Sequence, residues 1–184
     1  MKLLEMKKVH EGTYLHNYEL TYENRAGRRK RFEIVSRQNL ESPGDIAGRS
    51  SGIAIVAFQE EKLLLLREFR MSLNKPIYGL CSGLLEGTES AEECARRELM
   101  EETGLTAGNM ELLGSFYASP GFCDEEISVF LATDLEKGEA IPDDGEFLTC
   151  EKFALDRLTE MAAEGELKDA KTVIGILMTK NKLL

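Results

Sequence analysis

Tryptophan is missing from this chain of 184 residues, and histidine occurs only at positions 10 and 16. The absence of tryptophan removes the largest aromatic side chain that stacks on a nucleobase. No sequence pattern pairs His10 or His16 with a nucleophile, so we expect both to be surface residues.

Cysteine is also sparse, and its four residues are widely spaced. They form no CxxC pair, which is the spacing typical of zinc sites and redox motifs. We therefore expect free thiols in a reducing compartment. The cysteines are Cys81, Cys94, Cys123 and Cys150.

Positive charge and long apolar runs are scarce as well. With 23 Lys and Arg against 33 Asp and Glu, the net charge of -10 does not provide the basic surface that a nucleic-acid partner needs. No apolar run approaches the roughly 18 residues of a membrane-spanning helix, and the N-terminus MKLLEMKKVHEG does not resemble a signal peptide. We expect a cytoplasmic protein with neither a membrane nor a nucleic-acid partner.

The composition that is present, 42% hydrophobic and 30% charged, is that of a folded globular domain, here with room for a small appendage. Residues 13–22 and 31–36 alternate apolar and polar side chains around the turn sequence NRAG, which predicts a β-hairpin. Residues 37–51 are rich in Pro, Gly, Ser and Asn, as linkers are. We predict an N-terminal β appendage at 1–45 and a main domain at 46–184.

Two continuous apolar runs, at 52–58 and 62–69, are typical of strands buried on both faces of a sheet. Apolar spacing near 3.6 predicts helices at 155–164 and 168–181. Strands combined with helices favour a layered α+β fold. Further strands are predicted at 77–81, 110–119, 127–134 and 147–153.

The most informative stretch is GLLEGTESAEECARRELMEETGL, at residues 83–105. Ser90 followed by Glu93 predicts a capping box, and Gly104 suits the left-handed conformation that ends many helices. These two signals predict a helix at 91–103.

Three glutamates, Glu98, Glu101 and Glu102, share one face of this helix because they are spaced at i, i+3 and i+4. An acidic helix face is more often exposed to solvent, since glutamate is rarely buried without a partner. Here Cys94 and Ala95 lie on the same side, which indicates that the carboxylates point toward the protein. Clustered carboxylates need neutralising cations, and oxygen ligands suit Mg²⁺ or Mn²⁺. We therefore predict a metal site for phosphate chemistry.

The same stretch resembles the signature of the Nudix hydrolases. That signature is Gly, five residues, Glu, seven residues, Arg-Glu, an apolar residue, any residue, Glu-Glu, any residue, Gly and a final apolar residue. Every fixed position is met. The matching residues are Gly83, Glu89, Arg97, Glu98, Leu99, Glu101, Glu102, Gly104 and Leu105.

The similarity extends to the ADP-ribose pyrophosphatase branch of that family. REFR at 67–70 and SPG at 119–121, followed by Glu125, resemble segments of that branch. The chain departs from the branch in having Cys-Ser at 81–82, where Pro-Ala is usual, and in lacking tryptophan. The N-terminal hairpin resembles the dimerisation element of the branch, which implies a homodimer.

The resemblance implies a Nudix fold, in which a mixed β-sheet is sandwiched between helices (α/β/α). It assigns Glu98 and Glu102 as the principal metal ligands, with Glu101 assisting. It also implies that the Ser82 carbonyl completes the metal's shell and that Arg97 orients the glutamates. The implied ion is Mg²⁺, with Mn²⁺ as a substitute.

The other signature residues have less direct roles. Glu89 either takes part in the chemistry or only supplies the negative charge that favours a helix N-terminus. Gly83 and Gly104 are expected to serve the conformation of the backbone.

Residues outside the signature have two open interpretations each. Arg67 and Arg70 bind the substrate or form structural ion pairs, and Arg70 is the better candidate for substrate. Glu125 binds metal or sugar, or is a surface residue. In the loop PDDGEF, Asp144 and Glu146 are candidate general bases, or belong to an ordinary acidic turn.

The function implied by the resemblance is Mg²⁺-dependent hydrolysis of the pyrophosphate bond of ADP-ribose or a related nucleoside diphosphate sugar. From ADP-ribose, the products would be AMP and ribose 5-phosphate. Two alternatives stay open: hydrolysis of another sugar nucleotide such as GDP-mannose, and a non-catalytic Nudix module that senses a nucleotide. The complete set of signature carboxylates favours catalysis over sensing.

Overall fold

The computed structural model of the chain describes residues 1–47, 51–138 and 149–183. The chain groups into two compact units, Met1–Ser51 with Tyr117–Glu126, and Gly52–Phe116 with Ile127–Leu184. The predicted division into domains near residue 45 stays a prediction. Among the described residues, no helix combines the length and apolar character needed to cross a bilayer.

The first unit contains an antiparallel sheet of three strands, β1 Lys2–Glu11, β2 His16–Glu23 and β3 Arg29–Ser36, in that order. The predicted hairpin corresponds to β2 and β3. Strand β1 was not predicted from the sequence, and its pairing with β2 shifts register twice. A register shift of this kind interrupts the period-two alternation by which strands are recognised.

A small core stabilises this unit. Tyr18 and Leu20 of β2 pack with Ile34 of β3 and with Leu40, which follows the sheet. The Tyr18 hydroxyl accepts a hydrogen bond from the Leu40 amide at 2.7 Å, so part of the predicted linker is anchored to the sheet.

The second unit is a mixed sheet between helices. The strands are β4 Gly52–Gln59, β5 Lys62–Arg70, β6 Lys75–Gly79, β7 Cys81–Leu84, β8 Leu105–Tyr117, β9 Glu126–Lys137 and β10 Thr149–Ala154. Their order in the described part of the chain is β10-β5-β4-β9-β8, with β6 paired to β5 and β7 paired to β4. The helices are α1 Ala91–Thr103, α2 Leu155–Ala163 and α3 Ala170–Leu183.

The central strand β4 shows why the unit has three layers. Ile53 and Ile55 pack in a cluster with Leu99 of α1, whereas Ala54 and Val56 pack in a second cluster with α2 and α3. Both faces of β4 are therefore buried, as its continuous apolar run predicted. The predicted α/β/α layering and α1 at 91–103 are confirmed.

The sheet is split between β4 and β5, and this split places the site. The two strands pair only next to their connecting turn, at Phe58–Leu63 and Gln59–Lys62. Beyond that point β6 pairs with β5, and β7 pairs with β4. The chain crosses from one half of the split to the other at Leu80, between the end of β6 and the start of β7.

Candidate active site

Helix α1 begins and ends with the capping contacts that the sequence predicts. The Ser90 hydroxyl accepts from the Glu93 amide at 3.2 Å, and the Glu93 carboxylate accepts from the Ser90 amide at 2.8 Å. Gly104 has φ 68° and donates from its amide to the Met100 carbonyl at 2.8 Å. These contacts confirm the capping box and the conformational role of Gly104.

The acidic flank of α1 is half-buried rather than open to solvent. Cys94, Ala95 and Leu99 are fully buried against the sheet. Beside them the side chain of Glu98 is 15% exposed and that of Glu101 is 38% exposed. The carboxylates therefore lie at the boundary between helix and sheet, as the helical spacing predicted.

Arg97 organises this flank. Its Nη1 donates to Glu98 at 2.9 Å and to Glu101 at 2.8 Å, while its Nη2 donates to Glu89 at 3.0 Å. Nη2 also reaches the Leu84 carbonyl at 3.3 Å, which ties α1 to the end of β7. One guanidinium thus contacts three carboxylates, and the orienting role of Arg97 implied by the resemblance stays a prediction.

The electrostatics of this pairing are strongest at Glu89. The hydrogen bond from Arg97 lowers the pKa of Glu89 to about 2, against the smaller opposing effect of burial. The hydrogen bond to Glu89 is also the largest cause of a raised pKa at Arg97. Glu89 is therefore an ionised partner of Arg97, and not merely a charge near the helix N-terminus.

Strand β7 supplies the other wall of the site. The Ser82 amide donates to Glu102 at 3.0 Å. A Cβ atom on Gly83 would stand 1.9 Å from Glu98 Oε1, although Gly83 is not among the glycines with positive φ. The conformational role predicted for Gly83 is therefore wrong, because this glycine makes room for the Glu98 carboxylate.

The donor set fits a hard divalent cation. Three carboxylates, of Glu89, Glu98 and Glu101, contact the guanidinium of Arg97, and a fourth, of Glu102, accepts from the Ser82 amide of β7. Within the described residues, no group of three or more His, Cys, Asp or Glu side chains converges as a ready-made metal site. An ion bound here would therefore compete with Arg97 for the oxygens of Glu98 and Glu101, and oxygen-only ligands suit Mg²⁺.

Two thiols lie near Glu102 and resist ionisation. Burial, followed by the charge of Glu102, raises the pKa of Cys81 and of Cys150. Both residues therefore stay protonated at neutral pH, whereas soft metals bind thiolates. All four cysteines are free, as expected.

Of the two predicted substrate arginines, strand β5 directs only Arg70 toward the helix α1 side. Because side chains alternate along a strand, Arg70 shares the face of Leu66, which packs in the α1 cluster. Arg67 shares the face of Leu65, which packs with α2 and α3. The charge of Arg70 is paired with Glu68 at 3.1 Å, a partner that the sequence analysis missed. Counting alternate residues along β5 in the sequence would have placed Glu68 and Arg70 on one face of the strand and Arg67 on the other.

The other predicted residues are not brought to this site by the described contacts. Glu125 belongs to the first unit, where its carboxylate accepts from Arg37 at 2.9 Å. Asp144 and Glu146 lie outside the described residues. The roles of all three stay predictions.

Residues 48–174 match the family model described as the NUDIX domain. The chain belongs to the Nudix family. The resemblance drawn from the signature at 83–105 is thereby confirmed, and the acidic flank of α1 with β7 is the Nudix signature in three dimensions.

Curated relatives of this Nudix protein have several names. An ADP-ribose pyrophosphatase of Bacillus subtilis is 36% identical over 140 residues, which cover 73% of this chain and 75% of that protein. A methanol dehydrogenase activator of Bacillus methanolicus is 36% identical over 138 residues, covering 73% and 75%. A GDP-mannose pyrophosphatase of Salmonella arizonae is 32% identical over 141 residues, covering 71% and 73%.

A solved structure supports the fold. The crystal structure of an ADP compounds hydrolase aligns with a TM-score of 0.83, covering 99% of this chain and 93% of that chain, at 22% identity. An identity this low carries the fold alone, and on that level the predicted Nudix fold is confirmed.

Proposed function

We propose that this Nudix protein is a pyrophosphatase that hydrolyses the diphosphate bond of a nucleoside diphosphate sugar, with ADP-ribose as the leading substrate. The observation that carries the proposal is the set of Glu98, Glu101 and Glu102 on one half-buried helix flank, facing β7. The 36% identity to an ADP-ribose pyrophosphatase supports the choice of substrate. From ADP-ribose, the products are AMP and ribose 5-phosphate.

The chain's own residues prepare this site in defined ways. Glu98 and Glu102 are the principal ligands for Mg²⁺, for which Mn²⁺ substitutes, and Glu101 adds a third carboxylate. When bound, the metal neutralises phosphate oxygens and makes water a better nucleophile. Arg97 keeps Glu98 and Glu101 oriented, and the Ser82 amide keeps Glu102 oriented. The Ser82 carbonyl remains a proposed further ligand.

Residues outside the helix complete the proposal. Arg70 binds the phosphates by exchanging its contact with Glu68 for a contact with substrate. Asp144 or Glu146 accepts the proton of the attacking water, because a general base must lie near the nucleophile. Arg67 is a second candidate for a phosphate contact, and Glu125 is a candidate for a metal or sugar contact.

A substrate panel tests this function. ADP-ribose, GDP-mannose and other nucleoside diphosphate sugars are incubated with Mg²⁺, with Mn²⁺ and with EDTA, and nucleotide release is measured. We expect ADP-ribose to give the largest kcat/KM and EDTA to abolish turnover. Release of no nucleotide from any compound with either metal would contradict the proposal.

The Glu102→Gln variant tests the metal ligand. The substitution removes charge but keeps shape, so kcat on ADP-ribose should fall by about a hundredfold or more while the fold persists. Glu92→Gln is the matched control, because Glu92 lies on the same helix but is exposed and paired with Arg96. Near-normal turnover of Glu102→Gln with Mg²⁺ would reject the role of Glu102.

GDP-mannose is the second candidate substrate. The GDP-mannose pyrophosphatase of Salmonella arizonae, 32% identical, supports it.

The methanol dehydrogenase activator among the relatives gives some support to a regulatory module. A module of that kind would bind nucleotide in calorimetry without releasing products in the panel.

The oligomeric state and the cellular location belong to the proposal as well. We infer a cytoplasmic homodimer in which the N-terminal sheet of residues 1–45 is the dimerisation element. Light scattering coupled to size exclusion distinguishes the dimer from a monomer of 20.6 kDa.

A further inference from the structure

The crossover between β6 and β7 depends on a hydrogen bond from outside the sheet. Leu80 lies between Gly79, the last residue of β6, and Cys81, the first of β7, and it is 2% exposed. A buried amide without a partner costs as much free energy as a lost hydrogen bond. The Leu80 amide donates to the hydroxyl of Thr172 at 3.0 Å. Thr172 lies 92 positions later in the chain than Leu80.

The Thr172 hydroxyl is itself fixed in direction. Thr172 is fully buried in the first turn of α3, and its hydroxyl donates to Asp169 at 2.5 Å. Lys171 donates to the same carboxylate oxygen at 3.0 Å. Since the hydroxyl proton is directed to Asp169, the oxygen lone pairs are left to receive the Leu80 amide.

Helix α3 approaches the crossover closely enough to make this contact. A Cβ atom at Gly175 would stand 2.8 Å from Leu80 and 2.8 Å from Val56 of β4. Glycine therefore lets α3 lie against both Leu80 of the crossover and strand β4. Thr172 provides the polar contact one turn earlier on the same buried side of the helix.

The crossover leads directly into the wall of the site. Ser82, whose amide holds Glu102, is two residues after Leu80, and Gly83, which makes room for Glu98, is three residues after it. A shift of β7 along or away from β4 would therefore move both contacts. Shifts of about 1 Å at a site can cost about a hundredfold in rate.

We propose that Thr172 is a positioning residue for the metal site: through the Leu80 amide it fixes β7 so that Ser82 and Gly83 meet the carboxylates of Glu102 and Glu98. Asp169 supports it by orienting the hydroxyl. This inference rests on the proposed function insofar as the carboxylates bind a divalent ion.

The test compares Thr172→Val and Thr172→Ser with a matched control, Thr179→Val. Thr179 is also fully buried in α3, but its hydroxyl makes no hydrogen bond among the described residues. Mn²⁺ affinity is measured by calorimetry without substrate, and kcat and KM are measured on ADP-ribose. Melting temperature is recorded for every variant.

We expect Thr172→Val to weaken Mn²⁺ affinity by about tenfold or more and to lower kcat, with KM changing less. Thr172→Ser keeps the hydroxyl and should restore most of both values. Thr179→Val should retain both. Wild-type Mn²⁺ affinity and kcat in Thr172→Val, even with a lowered melting temperature, would overturn the proposal and leave Thr172 a structural residue.

If Thr172→Val does not fold, Asp169→Asn decides the question. It keeps the volume but weakens the acceptor of the hydroxyl proton, so Mn²⁺ affinity should fall in the same direction. Unchanged affinity would overturn the proposal.

A wild-type protein that binds Mn²⁺ but hydrolyses no sugar nucleotide would end the proposed function alone, because the Mn²⁺ affinities would still decide the role of Thr172. A wild-type protein that binds no Mn²⁺ would overturn both.

Discussion

At the scale of single residues, the site depends on how closely a carboxylate approaches the backbone of a strand. Glu98 lies where a side chain on Gly83 would have to be, and Arg97 holds it there. The glycine is therefore required by space and not by backbone conformation. Adding a single methyl group at position 83 therefore tests whether Glu98 needs this space.

Gly83→Ala should displace Glu98 and lower kcat on the best substrate by about a hundredfold. The added Cβ meets Glu98 Oε1 at 1.9 Å, so the carboxylate cannot keep its position. Gly44→Ala is the control, since a Cβ there would be in ordinary contact, at 3.6 Å from Ser42. Steady-state kinetics with Mg²⁺ measures both variants, and equal activity would show that Glu98 need not lie against β7.

At the scale of elements, α1 has to begin and end at fixed residues for its acidic flank to face β7. Ser90 and Glu93 satisfy the first amides of the helix, and Gly104 ends it with φ 68°. None of these capping hydrogen bonds involves the carboxylate of Glu98, Glu101 or Glu102. They should therefore affect stability more than chemistry.

Ser90→Ala should lower the free energy of unfolding by about 1 kcal/mol, because an amide of the first turn loses its side-chain acceptor. Urea denaturation measures the change, and Ser90→Thr, which keeps the hydroxyl, should lose less. We expect kcat to stay within the same order of magnitude. An unfolding free energy equal to that of the wild type would mean that the cap does not stabilise α1.

At the scale of the whole molecule, the Glu89–Arg97 pair links folding to pH. The pKa of Glu89 is about 2 in the folded chain, against 4.5 for an unperturbed group. Because the pKa of Glu89 is lower in the folded chain than in the unfolded chain, the ionised Glu89 contributes its full stabilisation of the fold above about pH 4.5. It is lost as the pH falls from 4.5 toward 2, because the unfolded chain binds the proton first.

The Glu89→Gln variant should therefore have a lower unfolding free energy than the wild type at pH 7, by about 1 kcal/mol, because solvent screens the partly exposed Glu89–Arg97 pair. The difference between the two proteins should shrink as the pH falls below 4.5. Denaturation in EDTA at several pH values measures it. A difference independent of pH would contradict the assignment of the low pKa to Glu89.

Much of the site could be predicted because its signals are local. Ser90, Glu93 and Gly104 act within four residues of their partners, and the spacing of Glu98 and Glu102 fixes a shared helix face. Contacts between distant segments gave no such signal. The Leu80–Thr172 hydrogen bond joins residues 92 positions apart, and the split between β4 and β5 that requires it leaves no pattern in the sequence.

The amino-acid order alone determined the boundaries of α1, the burial of β4 on both faces and the gathering of carboxylates on one flank, since helix and strand periods are properties of the local backbone. Only the tertiary structure decided that β7 lies against that flank and that Gly83 leaves its space to Glu98. Those outcomes depend on which strands pair and how closely layers pack, and pairing is settled by the free energy of the whole assembled sheet.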